Sequence, residues 1–385
     1  MKIRVLAVLA AGLAAHLSGA CASEAVSSDE PAATGGRSAV PAPPTAGSDD
    51  SGDEPGVELR VPVSADETTY VSLATPEVIE LDGDPSESND WDLSFRGWDL
   101  FTNGGVSGGG SGWSFGPNAY YYLLFPEDTI DVPFPIPDRA SGAFLRWYAY
   151  GADHGLYSRF HVYGVRSGER LYKLQILGYR GEVSGTVVSA LYRVRYAEVT
   201  SDGSSAIVDI ANIDATANGN GLDADEPSTC LALASEEQFQ LTPAEAAESE
   251  EWDLCFRRDV VTVNGGAGGP RGVEAVDLDA ASTDSEQVDD VMGLTATSQL
   301  ARLEDTSYEA LTAPGLDYRG DAIVSAFSGR WFIEGDPRTP DIDKSWLVVG
   351  PDGESRYFLA FSRLEGANTD SPGTVVLRVQ AVASN

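Results

Sequence analysis

Two histidines are the side chains best suited to chemistry in the chain that follows its N-terminal leader. His154 and His161 flank a predicted turn, Gly151–Gly155, and the third histidine of the sequence lies in the leader. Neutral imidazoles are good axial ligands for haem iron, so the pair is a candidate metal site. Three nearby aromatic residues are candidates to pack against a porphyrin: Trp147, Tyr148 and Tyr157. The alternative is two surface or half-buried histidines on a hairpin.

Signatures of catalysis are missing from the sequence. A nucleophile needs a base beside it, yet no Cys-His signature occurs. The acidic residues show no spacing that singles out a pair for glycoside hydrolysis. The glycine-rich stretch Asn103–Gly110 lacks the Gly-Lys-Ser/Thr ending of a phosphate-binding loop and is typical of a wide turn. We therefore predict that the protein is not an enzyme.

The charge of the chain argues against several partners. The sequence has 60 acidic and 25 basic residues and a formal net charge of -35. Binding to nucleic acid depends on clustered Lys and Arg, and an anionic phospholipid surface repels an acidic protein. We predict no nucleic-acid partner, and contact with a membrane only through an N-terminal lipid.

The N-terminus has the features of an export signal. Two basic residues precede the apolar run Val5–Ala15, which is too short to span a bilayer, so residues 1–21 are predicted to be a signal peptide. Its end fits two processing reactions. Ala20-Cys21-Ala22 suits ordinary signal peptidase, whereas Leu17 to Cys21 resembles a lipobox that would lipidate Cys21. Residues 22–56 contain no aromatic residue and are predicted to form a disordered tether.

The cysteines bear on the compartment. The chain contains three of them. If Cys21 carries a lipid, Cys230 and Cys255 remain as an even pair in an oxidising compartment and are a possible disulfide. The alternative is two buried free thiols, because the sequence does not give the separation of their Cα atoms.

An internal repeat occupies the chain after the tether. Trp91–Arg96 (WDLSFR) matches Trp252–Arg257 (WDLCFR), and at the same offset Asn103–Gly105 matches Asn264–Gly266. Further matches extend to the end of both copies, which favours two complete domains over one shared motif. Asp92 is predicted to form a structural ion pair with Arg96. Asp253 is predicted to form the same ion pair with Arg257.

Both copies are predicted to be β domains, at residues 57–212 and 228–385, joined by an exposed linker at 213–227. Apolar and polar residues alternate in their segments, and Gly or Asp turns separate the segments. Hairpins are predicted at Arg166–Glu169 and at Pro351–Gly353. The predicted fold class is all-β and mainly antiparallel, with two tandem related β-sandwich or open-barrel domains and few short helices.

The repeat motifs resemble the HmuY family of haem-binding surface lipoproteins. The first copy carries most of the likeness, in Trp91–Arg96, Thr102–Gly105, Trp147–Tyr150, His154, Val162–Arg166 and Tyr172–Leu177. The second copy is a degenerate member without histidine, in which Arg338 and Ser345 stand opposite His154 and His161. The likeness implies an all-β domain that captures haem outside the cell and often passes it to an outer-membrane receptor, with iron held by two side chains. It also favours lipidation of Cys21.

The expected function is haem binding or scavenging by an exported, lipid-anchored, non-enzymatic protein of the outer membrane or cell surface. Without the lipid, the protein would be periplasmic or secreted. Its expected partners are haem or a haem-carrying protein and an outer-membrane receptor, with the iron site in the first domain. The alternative is a surface interaction or structural module that has kept the fold without binding haem.

Overall fold

The computed structural model describes residues 55–126, 132, 135–217, 226–327 and 329–382. The predicted signal peptide, Cys21 and nearly all of the predicted tether lie outside these ranges. Antiparallel strands dominate and the helices are short, so the predicted fold class is confirmed. None of the helices in these ranges is long and apolar enough to cross a membrane.

The secondary structure alternates short strands with a few helical turns. The strands up to the middle of the chain are β1 (Val57–Val63), β2 (Thr69–Ser72), β3 (Glu77–Ile79), β4 (Leu93–Arg96), β5 (Asp99–Thr102), β6 (Trp113–Ala119), β7 (Arg139–Ser141), β8 (Tyr148–Tyr150), β9 (Leu156–Ser158), β10 (Tyr163–Ser167), β11 (Arg170–Val183), β12 (Thr186–Thr200), β13 (Gly203–Ser204) and β14 (Val208–Asp214). The later strands are β15 (Ser228–Leu231), β16 (Gln238–Leu241), β17 (Leu254–Arg257), β18 (Val260–Val263), β19 (Glu274–Asp277), β20 (Ala322–Val324), β21 (Phe332–Ile333), β22 (Thr339–Pro340), β23 (Lys344–Val349), β24 (Arg356–Glu365) and β25 (Gly373–Ala381). The helices are α1 (Tyr121–Leu124), α2 (Pro243–Glu248), α3 (Val288–Met292), α4 (Leu300–Asp305) and α5 (Tyr308–Leu311), with a 3-10 helix at Ala280–Ser285.

Two large antiparallel sheets have equivalent strand orders. One is β1-β25-β24-β23-β6, and the other is β14-β12-β11-β10-β19 with the short β13 also paired to β12. The strand registers of the two sheets also correspond. Val348 pairs with Ser114 in the first sheet, and the equivalent Val165 pairs with Ala275 in the second. The strand β14 therefore occupies the place of β1 and begins the second copy, although the sequence analysis assigned most of it to the first domain.

Two small sheets carry the repeated Trp-Asp-Leu motif. Their orders are β3-β2-β4-β5 and β16-β15-β17-β18. In the first, Asp92 Oδ2 accepts a hydrogen bond from Leu73 N at 2.7 Å, and in the second, Asp253 Oδ2 accepts one from Leu233 N at 2.7 Å. The motif aspartates thus satisfy buried backbone donors of the neighbouring strand, in place of the ion pairs predicted within the motif.

Each hydrophobic core combines the two copies. One core joins strands β1, β2, β4 and β5 to β23, β24 and β25, and we call residues 55–126 with 325–382 the split module. The other joins β10, β11 and β12 to β14, β15, β17, β18 and β19, and we call residues 143–321 the continuous module. In the chain order, the continuous module is therefore inserted between the two parts of the split module. The described residues do not show tandem domains at 57–212 and 228–385.

The chain passes between the modules at two strands that pair with each other. Strands β7 and β20 are antiparallel, with Ala140 opposite Ile323. Just before β7, the buried Asp138 accepts hydrogen bonds from Thr102 N at 2.8 Å and from Ala326 N at 2.6 Å. Since Thr102 belongs to the first copy and Ala326 to the second, this carboxylate ties the two copies together within the split module.

The equivalent aspartate does the same in the continuous module. Just before β20, Asp321 accepts hydrogen bonds from Val263 N at 2.7 Å and from Ala143 N at 3.4 Å. Burial raises the pKa of Asp138 to about 6 and that of Asp321 to about 7, although the backbone hydrogen bonds act in the opposite direction. The same pair of hydrogen bonds therefore occurs in both modules. Each module combines the first half of one copy with the second half of the other.

The predicted local elements fare better than the predicted domain arrangement. The hairpins β10–β11 and β23–β24 form at the predicted turns, with Gly168 at φ +58 and Gly353 at φ +74. The predicted linker differs from expectation at its start: residues 213–214 belong to β14, and Ala215 is buried, with its carbonyl accepting from Arg258 N. Residues 218–225 of the linker lie outside the described residues.

Candidate functional site

The turn between β8 and β9 carries His154, the first of the two predicted ligands. Tyr150 pairs with Leu156 across this hairpin, and His154 N donates to Gly151 O at 2.9 Å. His154 has φ +62, a left-handed conformation that histidine adopts more readily than most residues. Its exposed side chain has Nδ1 at 3.0 Å from Tyr150 Oη. The turn thus presents an imidazole to solvent with one ring nitrogen already hydrogen-bonded.

The second predicted ligand, His161, is buried between β9 and β10. Its Nδ1 lies 2.7 Å from Asp277 Oδ2, and its Nε2 lies 2.9 Å from Glu286 Oε1. Arg159 Nη1 donates to the other oxygen of Glu286 at 2.6 Å. Asp277 and Glu286 come from the second copy, so His161 links the two copies inside the continuous module.

The contacts of His161 define its charge. Ionised carboxylates only accept hydrogen bonds, and an imidazole ring donates from both nitrogens only when it is protonated. Burial alone would lower the pKa of His161, but the hydrogen bonds and charges of Asp277 and Glu286 outweigh burial, and the pKa is raised above 6.5. Both ring nitrogens of His161 lie beside carboxylate oxygens, so in this arrangement neither nitrogen is open to iron.

The three predicted porphyrin-packing residues have separate roles. Trp147 is buried and its Nε1 donates to Asp259 O at 2.9 Å, while Tyr148 Oη donates to Asp259 Oδ2 at 3.1 Å. Both therefore hold the turn between β17 and β18. Tyr157 instead donates from Oη to Asp153 Oδ2 at 2.6 Å, on the same turn as His154. Of the three, Tyr157 is the one that shares the surroundings of His154.

The two histidines do not form the two-sided slot that haem bound by both would require. One is exposed on a turn, and the other is enclosed by carboxylates. In the ranges that the structure covers, no group of three or more His, Cys, Asp or Glu side chains is arranged to hold a metal ion. Of the two histidines, His154 is the one whose side chain is exposed to solvent.

The acidic partners of His161 were not predicted. Besides Asp277 and Glu286, Asp279 accepts from Val162 N at 2.8 Å and pairs with Arg302. The available signal was the density of acidic residues over 277–290. Their distance along the chain hid the connection, since Asp277 and Glu286 are 116 and 125 residues from His161.

The predicted disulfide is confirmed. Cys230 and Cys255 are bonded and lie directly opposite each other on β15 and β17. In the split module the equivalent pair on β2 and β4 is Tyr70 and Ser94. Because disulfides persist in oxidising compartments, the bond indicates an extracytoplasmic location.

In the second copy, Arg338 and Ser345 were set opposite the two histidines by sequence and have other contacts, while the sheet register sets Lys344 opposite His161. The Arg338 guanidinium carbon lies 4.7 Å from the ring centroid of Trp98 and 4.9 Å from that of Phe332. Ser345 is buried and donates to Ala119 O at 2.8 Å. Neither position supplies a ligand for iron. Comparisons with protein-family models and with curated proteins find no match to this chain.

Proposed function

We propose that the chain is an exported, lipid-anchored, non-enzymatic binding protein that captures haem through His154 alone. The observation that carries the proposal is the contrast between the two histidines of the described residues. His161 has both ring nitrogens beside carboxylates, whereas His154 is exposed and has Nδ1 beside the Tyr150 hydroxyl. The resemblance to the HmuY family supplies haem as the ligand.

The Tyr150 contact suits His154 to binding iron. Histidines that ligate metals usually donate their second ring N–H to a neighbouring oxygen, which fixes the tautomer and the orientation of the ring. If Nδ1–H of His154 donates to Tyr150 Oη, Nε2 keeps the lone pair that iron requires. The left-handed backbone of the turn holds this geometry in place, and the His154 N–H to Gly151 O hydrogen bond supports it.

The surroundings of the turn match the amphiphilic chemistry of haem. Tyr150 and Tyr157 are half-buried and offer aromatic surface beside the imidazole. Arg180, on β11, is exposed and interacts electrostatically with Asp153 of the same turn. A guanidinium at this place can pair with a haem propionate.

A haem titration followed by the Soret band tests the proposal. We expect a saturable shift in the mature protein and a loss of affinity of at least about tenfold in His154→Ala. His161→Gln is the matched control: it should lower the stability of the fold and leave the Soret shift in place. A shift that survives His154→Ala, or that disappears only in His161→Gln, would contradict the assignment.

The location has its own test. The disulfide supports an oxidising compartment, and Cys21 within the lipobox-like segment supports anchoring in the outer membrane or at the cell surface. Mass spectrometry of the native protein should find a lipid-modified Cys21 at the N-terminus. An unmodified N-terminus at Ser23 would show a secreted or periplasmic protein instead.

The second candidate is a surface interaction module that does not bind haem. It is favoured by the internal use of most of the predicted site: His161, Trp147 and Tyr148 all bond residues of the second copy. In that case the polar residues of the site serve to join the copies, and the partner is a receptor protein. The absence of any saturable Soret shift would decide for this candidate.

A further inference from the structure

The split module has a cleft beside the turn between β4 and β5. The cleft has a volume of about 510 Å³ and is lined by Arg96, Trp98, Asp99, Phe101, Ile323 and Asp370, among others. It lies where this turn, the crossover strand β20 and the loop before β25 meet. Ligand sites are common at such junctions between packed units.

Two aromatic side chains of the lining are half-buried. Trp98 stacks on the buried Trp331, with ring centroids 5.9 Å apart and 28° between the planes, and its Nε1 donates to Thr369 O at 3.0 Å. Phe101 lies opposite Ser94 on the side of β5 that faces away from the core. Trp98 packs against the core and also carries the Arg338 guanidinium 4.7 Å from its ring centroid, so Phe101 offers the more accessible ring surface to a ligand.

The continuous module shows that the fold does not require these aromatic residues. At the repeat offset, Asp259 stands in place of Trp98 and Thr262 in place of Phe101. There Trp147 and Tyr148 both donate to Asp259, whereas in the split module the equivalent Trp331 and Phe332 pack against the ring of Trp98. The aromatic lining is thus a special property of the split module.

We propose that this cleft binds a carbohydrate. The apolar C–H face of a pyranose ring packs on aromatic side chains, while its hydroxyls both donate and accept hydrogen bonds. Arg96 supplies donors, and Asp99 and Asp370 supply acceptors. One cation and two carboxylates in the lining disfavour a phosphate-bearing ligand and suit a neutral saccharide. The proposal is independent of His154 and of haem.

Titration with soluble hexasaccharides tests the cleft, with tryptophan fluorescence and calorimetry as readouts. The probes are cellohexaose, maltohexaose and chitohexaose, which present equatorial linkages, axial linkages and acetamido groups. We expect saturable binding of at least one probe to the full mature chain, with a Kd of about 1 mM or below, as is reasonable for an open cleft. Phe101→Ala and Arg96→Gln should each weaken it by about tenfold or more.

The control is Thr262→Ala, at the equivalent of Phe101 in the continuous module, which should leave the affinity unchanged. Trp98→Ala is the less informative variant because Trp98 also packs on Trp331. No saturable binding of any of the three probes, or equal binding by wild type, Phe101→Ala and Arg96→Gln, would overturn the proposal. So would a haem Soret shift that is lost in Phe101→Ala and kept in His154→Ala, since it would make the cleft a haem site.

Discussion

The outer faces of the two large sheets are covered in different ways. In the split module, Phe358, Ala360 and Leu347 pack with Leu123 of α1 in an apolar cluster. In the continuous module, the positions equivalent to Phe358 and Ala360 are Lys173 and Gln175. There the covering segment, which includes α4, is held largely through its backbone carbonyl groups. The equivalence of the two copies therefore lies in their strands and inner faces, whereas the outer faces have diverged.

The polar cover depends on the buried side chains of Lys173, Gln175 and Arg195. Arg195 donates to Ala296 O at 2.8 Å, and Lys173 Nζ donates to the carbonyls of Glu304 and Thr306 at 3.0 Å each. An apolar patch around Leu311 and the buried Leu303 of α4 add hydrophobic burial. Burial lowers the pKa of Lys173, as expected for an ammonium group removed from water. Such cover is sensitive to the loss of one partner, because the groups left behind remain buried without hydrogen bonds.

The largest effects should be equal in the two modules, at Gly105 and Gly266. Their φ angles are +62 and +63, and a Cβ at either would overlap with the carbonyl oxygen of Asp138 or Asp321. We expect Gly105→Ala and Gly266→Ala each to lower the free energy of unfolding by about 2–4 kcal/mol in urea denaturation. Gly168→Ala, at φ +58 but in open space, should cost only about 1 kcal/mol. Clearly unequal losses of unfolding free energy at Gly105 and Gly266 would mean that the two passages of the chain between the modules are not equivalent.

The next effect should separate the modules. Arg195 donates to Gln175 Oε1 at 2.8 and 2.6 Å and to Ala296 O, whereas its register equivalent Arg378 is half-buried and donates to Gly56 O at 3.4 Å. Arg195→Ala should therefore cost about 3 kcal/mol and Arg378→Ala about 1 kcal/mol of unfolding free energy. Equal losses in urea denaturation would mean that the two sheets are covered alike.

The smallest effect should depend on pH and appear only in the continuous module. The raised pKa of His161 means that its stabilising charge is fully present below pH 6.5 and is lost as the pH rises through the folded-state value. The lowered pKa of Glu286 keeps its own contribution above pH 4.5. Between these limits His161→Gln should cost about 2 kcal/mol, the loss of two charge-assisted hydrogen bonds.

The pH series supplies the control for this prediction. The stability difference between wild type and His161→Gln should shrink as the pH rises above 6.5. A difference that stays constant with pH would mean that His161 is not held as a cation.

Local features were predictable because their signals lie within a few residues of each other. In the first copy, Trp91 Nε1 donates to Pro85 O at 2.9 Å, and in the second, Trp252 Nε1 donates to Ala246 O at 2.9 Å. The hairpin turns and the capping box of Thr242 on α2 are equally local. The repeat, the strands and the all-β class followed from such patterns.

The arrangement of the copies and the partners of His161 were not predictable in this way. The apolar face of β10 can pack equally well against a small sheet from its own copy or from the other copy. Alternation of apolar and polar residues therefore cannot distinguish these two arrangements. The carboxylates around His161 depend on that choice, because they belong to the second copy. The aromatic neighbourhood in sequence therefore gave no sign that the fold would enclose His161 between Asp277 and Glu286.

The pairing of β1 with β25 sets an order of events during synthesis. Val57 lies opposite Val379, so β1 must wait for a strand that lies 322 residues later (379 − 57) before its hydrogen bonds can form. The continuous module needs no residue beyond Asp321 and can assemble earlier. Domains emerging from a ribosome or a translocon fold as their parts become available, and distant pairings form slowly. Strand β1 is thus made before the other described strands and is among the last of them to be folded.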